Sequence, residues 1–313
     1  MEKKKVLNEG MWMLALFVIL LLVSIYVPGL SIISSLFLVL PFLVFSAKYS
    51  MKSSVIFGFI SLLAASVAGG LGAVPLAFLF GSTGIVMGSM LRKKLDKLSI
   101  FMAGSLVFLL NIVLLYVSMI IVTGVNMATE MNEAFKRSFQ ESMDLMKEMG
   151  QPLPEEAAKQ VQEGFAFFYA LTPSLFVLFA ITAVFLFMVV NFPILKKFKV
   201  DVPRFQPFRM WKMPKSILWY YLILLLLSFV AVPEVGSLWY SAYVNLMFML
   251  QFCLIIQGIS FIYFLAHVKK WSKIVPIILT IFSILFLPLL YLVRLLGIID
   301  LGFDLRQRLQ QKL

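Results

Sequence analysis

The sequence predicts an all-α, polytopic transmembrane helix bundle of about eight to nine spans, on three observations. Of its 313 residues, 62% are hydrophobic and 13% charged, where soluble domains average about 45–50% and about 25%. Long runs carry no Asp, Glu, Lys or Arg, as a bilayer requires: an ionised side chain at mid-membrane is costly, and a helix needs about 20 residues to cross. Lysine and arginine then collect between alternate runs, as loops on one side of a membrane would have them.

The charge-free runs are 11–47, 54–91, 99–129, 164–195, 216–233, 235–268 and 274–293. The first two are too long for one helix each. Pro28-Gly29 divides the first into helices near 11–27 and 31–47, because proline lacks an amide donor and glycine opens a turn. Gly69-Gly70-Leu71-Gly72 divides the second. Nine crossings result. They group as a six-helix amino-terminal bundle over residues 1–190, a basic connector at 191–215, and carboxy-terminal helices with a tail at 216–313.

Segments 2–8, 48–52, 92–98, 196–215 and 269–273 hold 19 of the 27 lysines and arginines. All five fall on one side of a nine-crossing ladder, which the positive-inside rule makes cytoplasmic. A multi-pass plasma-membrane protein with a cytoplasmic amino terminus is therefore expected. Lys3-Lys4-Lys5 before an apolar stretch imitates a secretory signal, but no small-x-small cleavage pattern follows, so the first helix is expected to be retained. Nine crossings put Arg294, Arg306, Arg308 and Lys312 on the disfavoured side; an eight-crossing version, with one segment fused or flattened, returns them. On the opposite side, segment 124–163 has eight acids against four bases. Met127, Met131, Phe135, Phe139 and Met143 recur every four residues there, Gly150 to Pro154 breaks the pattern, and a second helix should start near Pro154. Such a hairpin either covers a substrate entrance or rests its apolar face on the bilayer surface or on its partner helix. The connector carries Phe198, Phe205, Phe208 and Trp211 among its bases, a composition suited to anionic head groups or an acidic partner, and equally to a solvated loop.

The residues exclude much chemistry. One cysteine, Cys253, and one histidine, His267, leave no metal site to expect, and Gly81-Ser82-Thr83-Gly84 lacks the spacing and lysine of a phosphate-binding loop. The charge-free runs contain no acid pair or base for a proton relay. No enzyme and no cofactor is expected, and the net charge of +12 reports topology, not nucleic-acid binding. Energy, if used, would come from a membrane or ATPase partner. What remains at membrane depth is uncharged: Asn111, Asn245, Gln251 and Gln257, with Tyr240 and Tyr243. Each amide either bonds a neighbouring helix or lines a cavity. Asn245, Tyr240, Tyr243 and Asn111 are the ligand-binding candidates. Asn245 and Gln251, six residues apart, diverge by about 240° around a helix, so only one is expected to touch a ligand: Asn245, near the outer surface beside Tyr240 and Tyr243, is assigned to it, and Gln251, near mid-bilayer, to a helix contact. Gly84 with Gly88, Ala64 with Ala68, and Ala65 with Gly69 are four apart and should form small-residue packing grooves.

Leu38-Val39-Leu40-Pro41-Phe42, then Phe45 to Ser50, Gly58, Gly69-Gly70, Ala77 to Gly88, and the tail Gly297-Ile298-Ile299-Asp300-Leu301-Gly302-Phe303-Asp304 resemble the YybS family of bacterial membrane proteins over nearly the whole chain. More distantly, the order of helices and breaks over residues 8–195 looks like the substrate-binding S component of energy-coupling-factor transporters. That resemblance implies a membrane-embedded capture protein. It departs from the pattern in Trp12, Leu14 and Phe17, which crowd the docking helix, and in the extra helices after residue 216. The expected function is binding, or helping to translocate, a small and largely uncharged metabolite; the alternative is a non-enzymatic scaffold for cell-envelope assembly.

Overall fold

A computed structural model describes residues 2–151, 153–203, 206–230 and 234–310, all of whose regular structure is helical. Pro152, Phe205, Lys312 and the end of the 216–233 run lie outside the described residues. In order, the helices are α1 (Glu2–Tyr26), α2 (Ser31–Phe37), α3 (Leu40–Lys48), α4 (Met51–Gly69), α5 (Val74–Arg92), α6 (Lys97–Thr123) and α7 (Met127–Glu148). They continue with α8 (Glu155–Ala170), α9 (Thr172–Lys197), α10 (Ser216–Val230), α11 (Leu238–Val268), α12 (Ile274–Leu285), α13 (Leu287–Phe303) and α14 (Leu305–Gln310).

The breaks fall where backbone chemistry puts them. A 3-10 turn at Pro28–Leu30 follows α1, and a second at Leu71–Ala73 follows Gly70, whose φ of +76° suits glycine. Ser50, Asp96 and Ser237 cap α4, α6 and α11 by accepting amide hydrogens from Ser53, Ser99 and Tyr240. Among the described residues, seven spans are long and apolar enough to cross a membrane: α1, α2 with α3, α4, α5, α6, α9 and α11. Helix α10 is shorter, with 15 residues. The run expected to be one straight ninth crossing is two helices, α12 and α13, bent by 118°. Phe286 is extended there, and Pro288 cannot donate to the preceding turn.

Two compact units form, Met1–Asn126 with Leu175–Arg204, and Met127–Ser174 with Phe205–Leu313. Segment 127–174 thus groups with the carboxy-terminal helices, and the connector divides after Arg204.

In the first unit, Phe42 on α3 meets Phe17 of α1 and Phe57 of α4, at ring distances of 5.0 and 5.3 Å. Helix α5 reaches α3 through glycines. A Cβ on Gly84 would lie 2.6 Å from the Cβ of Phe42, and one on Gly88 would lie 2.7 Å from the Leu43 carbonyl. Gly69 meets Ala73 and Ile25 as closely, and Ala65 is fully buried, whereas Ala64 and Ala68 are only half-buried. Asn191 on α9 donates to the Leu36 carbonyl in the last turn of α2 and to that of Phe187.

The second unit contains its own tight crossing. A Cβ on Gly258 of α11 would sit 1.9 Å from the Val293 carbonyl oxygen, and one on Gly297 of α13 would sit 2.1 Å from that of Leu254. Only two glycines allow these backbones to touch.

Candidate functional site

The α11–α13 crossing sets out the chemistry of the second unit. Arg294 lies three residues before Gly297 and Asp300 three residues after it. Asp300 is fully buried, and its Oδ2 accepts from Gln257 Nε2 on α11 and from Arg306 Nε in the tail at 2.8 Å. Arg306 spends its other nitrogens on the Arg209 carbonyl (2.8 Å) and the Ser260 hydroxyl (3.1 Å). Ser260 lies within 2.8 Å of the carbonyls of Phe208 and Trp211, and Gln257 accepts the Met213 amide at 2.8 Å. One buried ion pair therefore ties α11, α13, the tail and the connector together. Gln257 is a helix contact, one of the two roles expected of it.

Beside it, Asp304 receives Lys212 (2.6 Å) and Lys215. Their hydrogen bonds hold its carboxyl down at about 2 against an ordinary 3.8. The acidic partner suited to the connector is, for these two lysines, the chain's own tail. The connector's aromatics fold inward too: Phe208 packs edge-on against Trp211 and against Tyr263 of α11, at 5.3 and 5.5 Å.

These contacts carry a topological consequence. Helix α11 runs toward the connector, α12 leaves from its end, and α13 returns Asp300, Asp304 and Arg306 to the same connector residues. The bent pair thus starts at the end of α11 and finishes beside the same connector residues. Arg306 thus lies against the basic connector, at the Arg209 carbonyl.

Near the bend, Gln251 and Ile255 of α11 face Leu287, Leu290, Tyr291 and Arg294 of α13 around a cavity of about 100 Å³. The Arg294 guanidinium carbon stands 4.8 Å from the centre of the Tyr291 ring. Gln251 is thus a cavity residue, where a helix contact was expected.

Asn245 takes the opposite role. Its Oδ1 accepts the Ser174 amide at 2.9 Å, in the first turn of α9, and its Nδ2 donates to the carbonyls of Ala170 (2.6 Å) and Ser241 (2.7 Å). One amide hydrogen is thus committed to the break between α8 and α9 and the other to its own helix. Tyr243 packs against a core cluster of Leu218, Tyr221, Leu224, Leu250, Leu254 and Leu301, and Tyr240 is half-buried at the first turn of α11. In the other unit, Asn111 donates to the Ser82 hydroxyl at 2.6 Å, tying α6 to α5. Within the second unit, Asn245 and Tyr243 therefore pack against different neighbours. His267 is exposed at the end of α11, and Cys253 is half-buried within it.

The hairpin of α7 and α8 rests part of its apolar face on itself. Phe165 stacks on Phe135 at 6.1 Å and meets Phe139 edge-on at 5.8 Å. Between the helices lies a cavity of about 400 Å³ with Lys136, Arg137, Gln140 and Gln162 on its walls. Met127, Met131 and Phe135 stay about half exposed.

Sequence reasoning missed Arg294, Asp300, Arg306 and Asn191. The first three stand outside the charge-free runs, and one of the signals was visible: Asp300 belongs to the very tail motif that carries the family resemblance.

Comparison with known proteins agrees with that resemblance. A family described as "Predicted membrane protein (DUF2232)" matches residues 15–301. The chain is 30% identical to "Uncharacterized protein YybS" of Bacillus subtilis over 311 residues, 99% of this chain and 100% of that protein. No solved structure matches.

Proposed function

Since the chain belongs to the DUF2232 family of predicted membrane proteins, we propose that this multi-pass protein binds a small metabolite at membrane depth and helps carry it across the bilayer. The observation that supports this most is the cavity beside the bent pair α12–α13. Interrupted helices are tolerated in a membrane where they are buried or line a cavity, and in many transporters they build the substrate site. Gln251 and Arg294 provide polar groups on an otherwise apolar wall, the composition typical of a small-molecule site.

The six spans of the amino-terminal unit fit the S-component likeness, in which capture and energy supply are divided between proteins. Under this reading, a separate membrane or ATPase partner provides the drive, the five basic segments face the cytoplasm of the cell membrane, and the protein itself catalyses no covalent step. A thermal-shift screen of the purified protein against vitamins, nucleosides and small organic acids tests binding, and uptake by cells with and without the gene tests translocation. A compound that raises the unfolding midpoint and accumulates only in cells carrying the gene supports the proposal. No shift across the screen, together with envelope-assembly proteins recovered by co-purification, overturns it in favour of a scaffold.

A further inference from the structure

Arg294 is the starting point. It lies beside Gln251, whose Cα is about 20 Å along α11 from the helix start at 1.5 Å per residue, near the middle of a 31-residue apolar helix. A guanidinium at such depth is expensive without a counter-charge. The nearest acid along the chain, Asp300, is already held by Arg306, and among the described residues Arg294 makes no hydrogen bond or ion pair. Its one close partner is the face of Tyr291, which accommodates a cation without neutralising it.

We propose that Arg294, Gln251 and Tyr291 form a receptor for a small oxyanion, a carboxylate or phosphate group, at the bend of the α12–α13 hairpin. The proposal rests on the capture reading above and changes its ligand class, since the sequence alone suggested a largely uncharged metabolite. Arginine is matched to these groups because its planar fork donates two parallel hydrogen bonds to two oxygens. The Gln251 amide adds a donor. A cavity of about 100 Å³ has room for roughly three waters at about 30 Å³ each, which suits one charged group and not a whole metabolite. Tyr291 and Leu287 are more than half exposed, so the body of the ligand extends outward past them. The same chemistry fits a phospholipid head group entering from the bilayer or a free anionic metabolite entering from water.

The test uses the full-length protein in a neutral detergent at constant ionic strength. Inorganic phosphate and acetate serve as free anions, phosphatidylglycerol in mixed micelles as the lipid anion, and phosphatidylcholine as its control. An occupied site should raise the unfolding midpoint by about 2–4 °C, the size expected of a ligand at several times its Kd. Arg294→Gln should abolish the rise, Arg294→Lys should keep part of it, and Arg308→Gln, on an exposed arginine of the tail, should keep all of it. A rise with phosphate or acetate identifies a free anion, and one with phosphatidylglycerol alone identifies lipid. If Arg294→Gln fails to fold, loss of most of the rise in Arg294→Lys and in Gln251→Leu supports the site equally. No rise with any anion, or a rise that survives Arg294→Gln, overturns the proposal. An uncharged metabolite that stabilises wild type and Arg294→Gln alike would remove the anion site and leave capture standing. An Arg294-dependent rise without gene-dependent uptake by cells would keep the site and remove translocation.

Discussion

In the unit formed by residues 1–126 and 175–204, helices meet through glycines and aromatic rings; in the unit formed by 127–174 and 205–313, they meet through one glycine crossing and a buried ion pair. Lipid tails are as apolar as leucine, so neither unit gains from hydrophobic burial between helices as a soluble bundle does. The first unit answers with close approach: Gly84 and Gly88 bring α5 onto Phe42 and Leu43 of α3. The second adds electrostatics, with Asp300 and Arg306 holding the tail and the connector against α11. Close packing is generic and tolerant of small changes. A buried pair is specific, because losing either member strands the other charge away from water.

The sharpest way to break this comparison is at the two glycine contacts. A Cβ on Gly297 would fall 2.1 Å from a backbone oxygen, so α13 must leave α11, and Gly297→Ala should abolish folded protein as judged by gel filtration in detergent. Gly88→Ala meets its nearest atom at 2.7 Å and should cost about 1–3 kcal/mol, the usual range for overpacking. Equal effects at the two sites would mean that the α11–α13 contact yields as easily as that of α3 and α5.

Next in size is Arg306→Gln. It leaves the carboxylate of Asp300 buried and uncompensated, at about 3–5 kcal/mol, read by thermal unfolding. The double variant Asp300→Leu with Arg306→Met should recover much of that loss, because two apolar side chains leave no stranded charge. No recovery would show that the pair serves more than neutralisation.

Much of the fold was legible because the bilayer makes it so. Charge-free runs and the Pro28-Gly29 and Gly69-Gly70 breaks located the seven spans long enough to cross a membrane among the described residues, and four-residue spacing found Gly84 and Gly88. The site was less legible, for the same physical reason read backwards. Searching for spans as stretches without charge pushes Arg294, Asp300 and Arg306 into the category of loop and tail, whereas the bend at Phe286 returns all three to α11. Asn245 was assigned to a ligand because depth along a helix was visible, whereas the Ser174 amide and Ala170 carbonyl of the α8–α9 break that it bonds were not. Gly258 and Gly297, nearly 40 positions apart, show no periodicity that would mark a contact.

Asn245→Ala should come third, at about 1–3 kcal/mol for a buried polar contact left unsatisfied, since the carbonyl of Ala170 and the amide of Ser174 lose their partner. Hydrogen exchange should rise locally around residues 170–175. A normal unfolding midpoint joined to a lost ligand-induced shift would return Asn245 to the role of ligand contact.

The smallest effect belongs to Asp304, at the exposed rim of the same network whose centre is Asp300. Lys212 and Lys215 hold its folded-state carboxyl at about 2, below an ordinary 3.8, so the folded state binds this proton less readily than the unfolded state. A depressed value of this kind stabilises the fold above about pH 4, and the contribution is lost as pH falls toward 2. Other carboxyls titrate in the same range, which makes the useful quantity the difference in unfolding midpoint between wild type and Asp304→Asn. That difference should be steady from pH 7 to about 5 and largely lost by about pH 2. It should also shrink in high salt, because partly exposed pairs are screened where buried ones are not. A difference that persists at pH 2 and ignores salt would mean that Asp304 acts through packing, and the tail would then be held like the first unit, by shape and not by charge.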